Sequence, residues 1–208
     1  MPKRIKEIVD KVQFYYGKKE TGYNSPADIV RELNVESINV FNELHDEYSR
    51  TRKISEFLQP FLKKETIAVN SSGIANKPED FAHADGSYLP TGQMVEILES
   101  NVFIERINHP NKPPSASFPM LMMYGNNIEV LPVSIDNIVL SYFKLPKEAV
   151  YAFTVDDDEY VYNDAQSVDW EWSKTIEDRI INRTLANLGI TIKDRDLVQF
   201  SQAERMQE

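Results

Sequence analysis

The sequence predicts an α+β fold, with N-terminal helices, a central antiparallel β meander and C-terminal helices. Two observations carry the prediction. Residues 60–146 hold nine of the eleven prolines, and proline fits neither a helix interior nor a central strand. The flanking segments instead repeat apolar residues at helical spacing. The chain divides accordingly into an N-terminal helical region at 1–64, a β-rich, proline-punctuated domain at 65–165, and a C-terminal helical region with a tail at 166–208.

Ile5, Ile8, Val9, Val12, Tyr15 and Tyr16 place a first helix over 3–16, ended by Gly17 and a polar loop to Asn24. Ser25 then offers an N-cap, Pro26 the first helical position, and Asp28 a carboxylate beside the positive end of the dipole. Ile29, Leu33, Val40, Phe41, Leu44 and Tyr48 continue one face of what reads as the longest helix. A short helical piece over Ile54 to Leu58 is stopped by Gln59-Pro60.

From Thr66 the grammar is extended. Thr66 to Val69 reads as a strand, Ser71-Ser72-Gly73 as a turn, and Lys77 to His83 as a single helical turn packed through Phe81. Gln93 to Leu98 alternates like a strand, Asn101 to Asn108 fits a short helix, and His109 to Pro119 is an irregular proline loop. Met120 to Tyr124 and Ile128 to Leu131 flank Gly125-Asn126-Asn127, a turn that tolerates positive φ, and form the clearest hairpin. Ile138 to Phe143 adds a neighbouring strand. Ala149 to Val155 and Tyr160 to Tyr162 form a second hairpin around Asp156-Asp157-Asp158-Glu159.

Helix returns at the end. Val168 to Trp172 alternates as an edge strand and leads to Ser173, a good N-cap. Ile176, Ile180, Ile181, Leu185 and Leu188 then form a helical face closed by Gly189. Ile190 and Ile192 lead to Asp194, which caps a final helix carrying Leu197, Val198 and Phe200.

Composition narrows the function classes. The 208 residues include no cysteine, which removes disulfides and thiolate metal sites and fits a reducing compartment. No run approaches the roughly 20 apolar residues of a membrane helix, and Met1 to Lys6 lacks the apolar core of a signal peptide. Net charge is −10, distributed as +2 over residues 1–64 and −12 over 65–208. So acidic a body repels a phosphate backbone, which argues against sequence-specific nucleic-acid binding.

Each candidate for chemistry has a plainer reading beside it. The run Asp156 to Glu159 offers oxygen ligands for Ca²⁺ or Mg²⁺, but lacks the alternating spacing of an EF-hand, so a solvated hairpin tip is favoured. His45, His83 and His109 stand dozens of residues apart with no partner pair for zinc, and none forms a triad pattern with a serine. Asp169 and Glu171 beside Trp170 and Trp172 suggest a sugar site, against an edge strand entering a helix. No glycine-rich phosphate loop is present. The expectation is therefore no catalytic, cofactor or metal residue and no enzyme activity. Tyr23, Tyr48, Tyr88, Tyr124, Tyr142, Tyr151, Tyr160 and Tyr162 supply phenols of the kind enriched at protein interfaces.

A set of motifs in fixed order adds to this reading. They are Asn24-Ser25-Pro26-Ala27-Asp28, Ile54-Ser55-Glu56-Phe57-Leu58-Gln59-Pro60-Phe61, and Lys77 to His83. Lys112-Pro113-Pro114 with Phe118-Pro119, Ile128-Glu129-Val130-Leu131-Pro132 and Tyr142-Phe143-Lys144-Leu145-Pro146 follow. Ser167 to Trp172, Leu188-Gly189-Ile190 and a tail containing Gln199 complete it. In this order the chain resembles virion proteins of tailed phages and prophages of Bacteroidetes, crAss-like phages included, that are similar to head-to-tail connector (adaptor) components.

That resemblance implies a structural subunit of a cyclic homo-oligomer, twelvefold by analogy with portals, stacked beneath the portal. It implies contacts with portal or neighbouring connector and tail proteins, location in the virion after assembly in the host cytoplasm, and DNA passing through the lumen unread. It also implies docking of the N-terminal helices or of the tail beyond Asp194 on a neighbouring ring protein. Two other classes stay open from the residues alone: a cytoplasmic partner-binding module, and a metal-dependent enzyme using the 156–159 run.

Overall fold

The computed structural model describes residues 4–17, 25–111, 113–156 and 159–188. The fold is α+β. By its contacts the chain forms two compact units: Leu58–Leu145, and a second that joins Met1–Phe57 with Pro146–Glu208. The two helical ends of the sequence therefore belong to one unit.

In that helical unit, α1 (Arg4–Gly17), α2 (Pro26–Thr51) and α4 (Lys174–Asn187) bury most of the faces expected of them, but Tyr15 of α1 is exposed. Ile5, Ile8, Val9, Ile29, Leu33, Val40, Phe41, Ile180 and Leu185 are all buried. Ser25 caps α2 by accepting from the Asp28 backbone N–H at 3.2 Å, with Pro26 in the first turn. Arg52, at φ 56°, ends the helix and donates its backbone N–H to the Tyr48 carbonyl at 2.7 Å. Trp172 is the largest fully buried side chain, and its Nε1–H donates to Ser37 Oγ at 2.6 Å. A two-stranded ribbon, β8 (Phe153–Asp156) and β9 (Glu159–Tyr162), completes the unit. The expected loop at 18–24, the Gly189 cap and the final helix after Asp194 lie outside the described residues.

The β unit holds β1 (Leu62–Ala68), β2 (Ile74–Asn76), β3 (Phe81–Tyr88), β4 (Met94–Leu98), β5 (Met120–Tyr124), β6 (Asn127–Leu131) and β7 (Asn137–Lys144). The helix α3 (Ser100–Ile107) falls between β4 and β5. The sheet order is β1-β7-β3-β4-β5-β6-β2. One face of these strands surrounds a single core that includes Ile67, Ala75, Val95, Leu121, Val130, Leu140 and Tyr142.

The meander expectation is corrected here. The β5–β6 hairpin forms about Gly125 as expected, but β4 and β5 run parallel because residues 99–119, with α3, provide a crossover connection. β7 does not neighbour that hairpin; it lies between β1 and β3. Its residues are buried on both faces, Ile138, Leu140 and Tyr142 on one and Ser141 and Phe143 on the other, as befits a central strand.

Three local expectations also change. The piece over 54–58 is not α-helical; a turn at 56–58 runs into a 3₁₀ helix, Gln59–Phe61, whose early position accepts Pro60. The helical turn over 77–83 shrinks to a turn at 79–80, closed by Phe81 N–H to Pro78 C=O at 3.1 Å. The strand β3 then starts at Phe81, with irregular register against β7 at two places. The alternating stretch 168–172 makes one bridge, Val168 to Val150, rather than a strand.

Candidate functional site

The residues singled out for chemistry occupy separate elements. Asp156 closes β8 and Glu159 opens β9, while 157 and 158 lie outside the described residues. His45 is on α2 with its ring 6.2 Å from that of Tyr48, His83 is on β3 opposite Phe143, and His109 follows α3 with Nδ1 accepting from the Asn111 N–H at 3.2 Å. Among the described residues no group of three or more His, Asp or Glu side chains is placed to hold a metal ion.

Asp169 and Glu171 serve backbone amides. Asp169 Oδ1 accepts from the N–H groups of Ile5 at 3.1 Å and Trp170 at 2.9 Å; Glu171 Oε2 accepts from Lys147 N–H at 3.0 Å. These contacts make each carboxylate an anchor for chain, and both tryptophans are buried rather than open as sugar platforms.

Two polar clusters escaped the sequence reading. In the β unit, Tyr142 on β7 points its hydroxyl at Asp80 Oδ1 (2.7 Å) and Glu65 Oε2 (3.1 Å), while Lys63 Nζ reaches Asp80 at 3.1 Å and Glu65 at 3.2 Å. The register that pairs Lys63 with Tyr142 and Glu65 with Leu140 brings these side chains to one face. Burial, with the Asp80 carboxylate, pushes the Tyr142 phenol up to about 12. Burial would raise the Asp80 carboxyl, but Tyr142 and Lys63 hold it below its ordinary value. Tyr142, Asp80 and Glu65 together hold the Lys63 ammonium above its ordinary range. The single phenol proton of Tyr142 lies between two carboxylates, and the Lys63 ammonium bridges the same pair, closing a clasp.

In the helical unit, Arg183 grips Glu43 of α2 with two bonds of 2.7 and 2.9 Å, and Arg179 adds a third at 2.7 Å. The Arg183 bond is the main reason the Glu43 carboxyl lies below its usual value. Buried Glu36 accepts from Asn39 at 3.0 Å and Asn187 at 2.8 Å. The i, i+4 spacing of Arg179 and Arg183 was visible in the sequence; its partner helix was not.

The outer surfaces are apolar in places. α3 buries Phe103 and exposes Val102, Ile104 and Ile107, with Ile104 58% exposed. Met94 on β4 is 79% exposed. On α2, Val35 and Ile38 line a shallow groove with Val150. No described helix is long and apolar enough to cross a membrane. The chain matches no protein-family model and no curated protein.

Proposed function

We propose that this protein is a structural component of a tailed-phage particle, a connector subunit that packs into a ring beneath the portal and performs no turnover. The observation that carries the reading is the ordered set of motifs and where those motifs fall in the fold. Ser25 to Asp28 spans the α2 cap, and Ile54 to Phe61 contains the 3₁₀ stop. Pro113, Pro114 and Pro119 sit in the connection between the parallel strands β4 and β5, Tyr142 to Pro146 ends β7, and Ser167 to Trp172 leads to α4.

Surface character supports the same reading. An eight-residue helix with aliphatic side chains on its outward side, as in α3, favours a partner surface over water. In a ring each subunit presents two different faces to its neighbours. The lumen of such a ring passes DNA freely when it lacks a ladder of Lys and Arg, and the chain's net charge of −10 favours that property.

The test is composition of purified particles. We expect the chain there at about a dozen copies per particle, the count a closed ring of portal-like symmetry requires. Its absence from particles, or one copy per many particles, removes the connector reading in favour of a partner-binding module.

A further inference from the structure

We propose that the β unit holds a binding cleft for a free α-amino acid with an aromatic side chain, a site independent of the ring assembly above. The cleft opens where the sheet parts. β3 and β4 pair only through Ser87–Val95 and Tyr88–Met94. Beyond those pairs β3 stays with β7, while β4 runs parallel to β5 from Glu96 onward. The parting leaves a cleft of about 550 Å³ lined by Lys64, Asp85, Gly86, Tyr88, Met94 and Ser141, all within the one unit. Small-molecule sites are commonly of this size.

Register builds the polar floor. Lys64 of β1, Ser141 of β7 and Gly86 of β3 form one row across three strands. Between Ala84 and Gly86 the ladder to β7 skips a residue, and the extra one is Asp85. Ser141, 3% exposed, donates its hydroxyl to Asp85 Oδ2 at 2.8 Å. The hydroxyl oxygen and the carboxylate have lone pairs for a further donor. Lys63 is held by Glu65 and Asp80, but Lys64 forms no ion pair among the described residues; its Nζ lies 5.8 Å from the centre of the Tyr88 ring.

Gly86 is the residue that points to an occupant. Glycine inside a strand serves a left-handed φ or a close approach to the backbone. Gly86 has no positive φ, and a Cβ there would meet nothing within 4 Å. The chain's own packing therefore does not call for glycine, and the space above this backbone admits a flat group from outside. Tyr88, two residues on, shares the face of Gly86 and pairs with Met94, which is 79% exposed. A ring resting on Gly86 would lie beside a phenol and a thioether, both favourable neighbours for it.

Charge decides the class of ligand. The cleft carries one ammonium and one carboxylate, Lys64 and Asp85, that are not paired with each other. Glu96 at its rim is spent on Arg106 at 2.8 Å. A nucleotide would bring several negative charges to one lysine and set them near Asp85. A sugar or a neutral apolar compound would cover both charges and answer neither. An amino acid carries both opposite charges on one carbon. Its ammonium fits Asp85 and Ser141, its carboxylate fits Lys64, and its ring fits the floor at Gly86.

Titration of L-phenylalanine and L-tryptophan into the full, isotope-labelled chain tests this by amide NMR. We expect saturable shifts at Gly86, Tyr88 and Met94 with millimolar ligand. N-acetyl-L-phenylalanine lacks the ammonium and L-phenylalanine amide lacks the carboxylate. Each should bind about tenfold more weakly, or worse, as loss of a charged hydrogen bond requires. Gly86→Ala fills the floor without touching the chain, so it should weaken L-phenylalanine by about tenfold or more while leaving the urea midpoint unchanged. Asp85→Asn should erase the preference for the free amine over its N-acetyl form. Lys64→Met should erase the preference for the carboxylate over the amide, a pattern that simple loss of structure does not produce. No saturable shift with either amino acid, equal binding of the blocked forms, or undiminished binding by Gly86→Ala overturns the site. If Gly86→Ala lowers the urea midpoint, the two charge variants decide, and preferences retained in both count against the assignment. The presence or absence of the chain in particles bears on the connector reading alone.

Discussion

Tyr142 combines a ring sealed in the β core with a hydroxyl held by two carboxylates. Tyr142→Phe keeps the packing and removes both bonds. We expect a loss of about 1.5–3 kcal/mol, the range for hydrogen bonds to charged groups, measured by urea unfolding. The pH profile gives a second reading of the same contact. A phenol raised from near 10 to about 12 favours the fold while protonated, so its contribution is complete below pH 10 and disappears as pH rises toward about 12. The raised Lys63 ammonium acts in the same direction, and lowered Asp80 loses its contribution only as pH falls below the ordinary carboxylate range. The parent should therefore lose stability across the alkaline interval, and Tyr142→Phe should lose less; equal losses would show that the clasp does not set the alkaline limb. Gly73 is the other decisive residue. At φ 78° its Cβ would meet the Val130 carbonyl oxygen at 2.7 Å. Gly73→Ala should destabilise the β unit by about 1–3 kcal/mol, read as a lowered denaturant midpoint, because both the left-handed conformation and the close approach are penalised.

At the scale of elements, what was legible in the sequence was local. The Ser25-Pro26 cap, the helical faces of α1, α2 and α4, and the β5–β6 hairpin follow from side chains within one turn or one loop of each other. What was not legible needed a distant partner. β3, with Gly86, Asp85 and two alanines, has weak strand composition, and its pairing with β7 makes it a strand. The order of strands was lost for the same reason. The run at 138–143, apolar but for Ser141, does announce a strand buried on both faces, but not which neighbours cover its edges. The clasp around Tyr142 was invisible because Glu65 and Asp80 meet it only through that order. Asn34 on α2 is a comparable long-range anchor: its amide donates to the Ala149 carbonyl and accepts from the Ala149 N–H, each at 3.0 Å. Asn34→Ala strands both backbone groups of a buried residue, so we expect a cost of about 2–3 kcal/mol in thermal or denaturant unfolding. Asn34→Asp should restore only the half in which the side chain accepts.

At the scale of the whole molecule, the β unit is an insertion. Residues 58–145 form one continuous stretch, while the helical unit is assembled from both ends of the chain. The antiparallel pairing of Leu62 with Phe143 brings the two ends of the insertion together, and Leu145 N–H bonds the Asp80 carbonyl at 2.8 Å just beyond. Closely spaced ends are what allow a domain to be carried within another. Charge divides with the same boundary: the helical unit holds 17 Lys+Arg against 24 Asp+Glu, and the β unit 6 against 9. Of the −12 carried by residues 65–208, −7 falls in residues 146–208 of the helical unit and −5 in the β unit. If the insertion is a folding unit in its own right, residues 58–145 expressed alone should give a dispersed amide spectrum and a single cooperative transition, since its core residues all lie within that stretch. Tyr142→Phe and Gly73→Ala should then lower that transition as they do in the full chain, while Asn34→Ala in the full chain should lower only the transition of the helical unit. An excised fragment lacking dispersion would show that the β core depends on the helical unit for its stability.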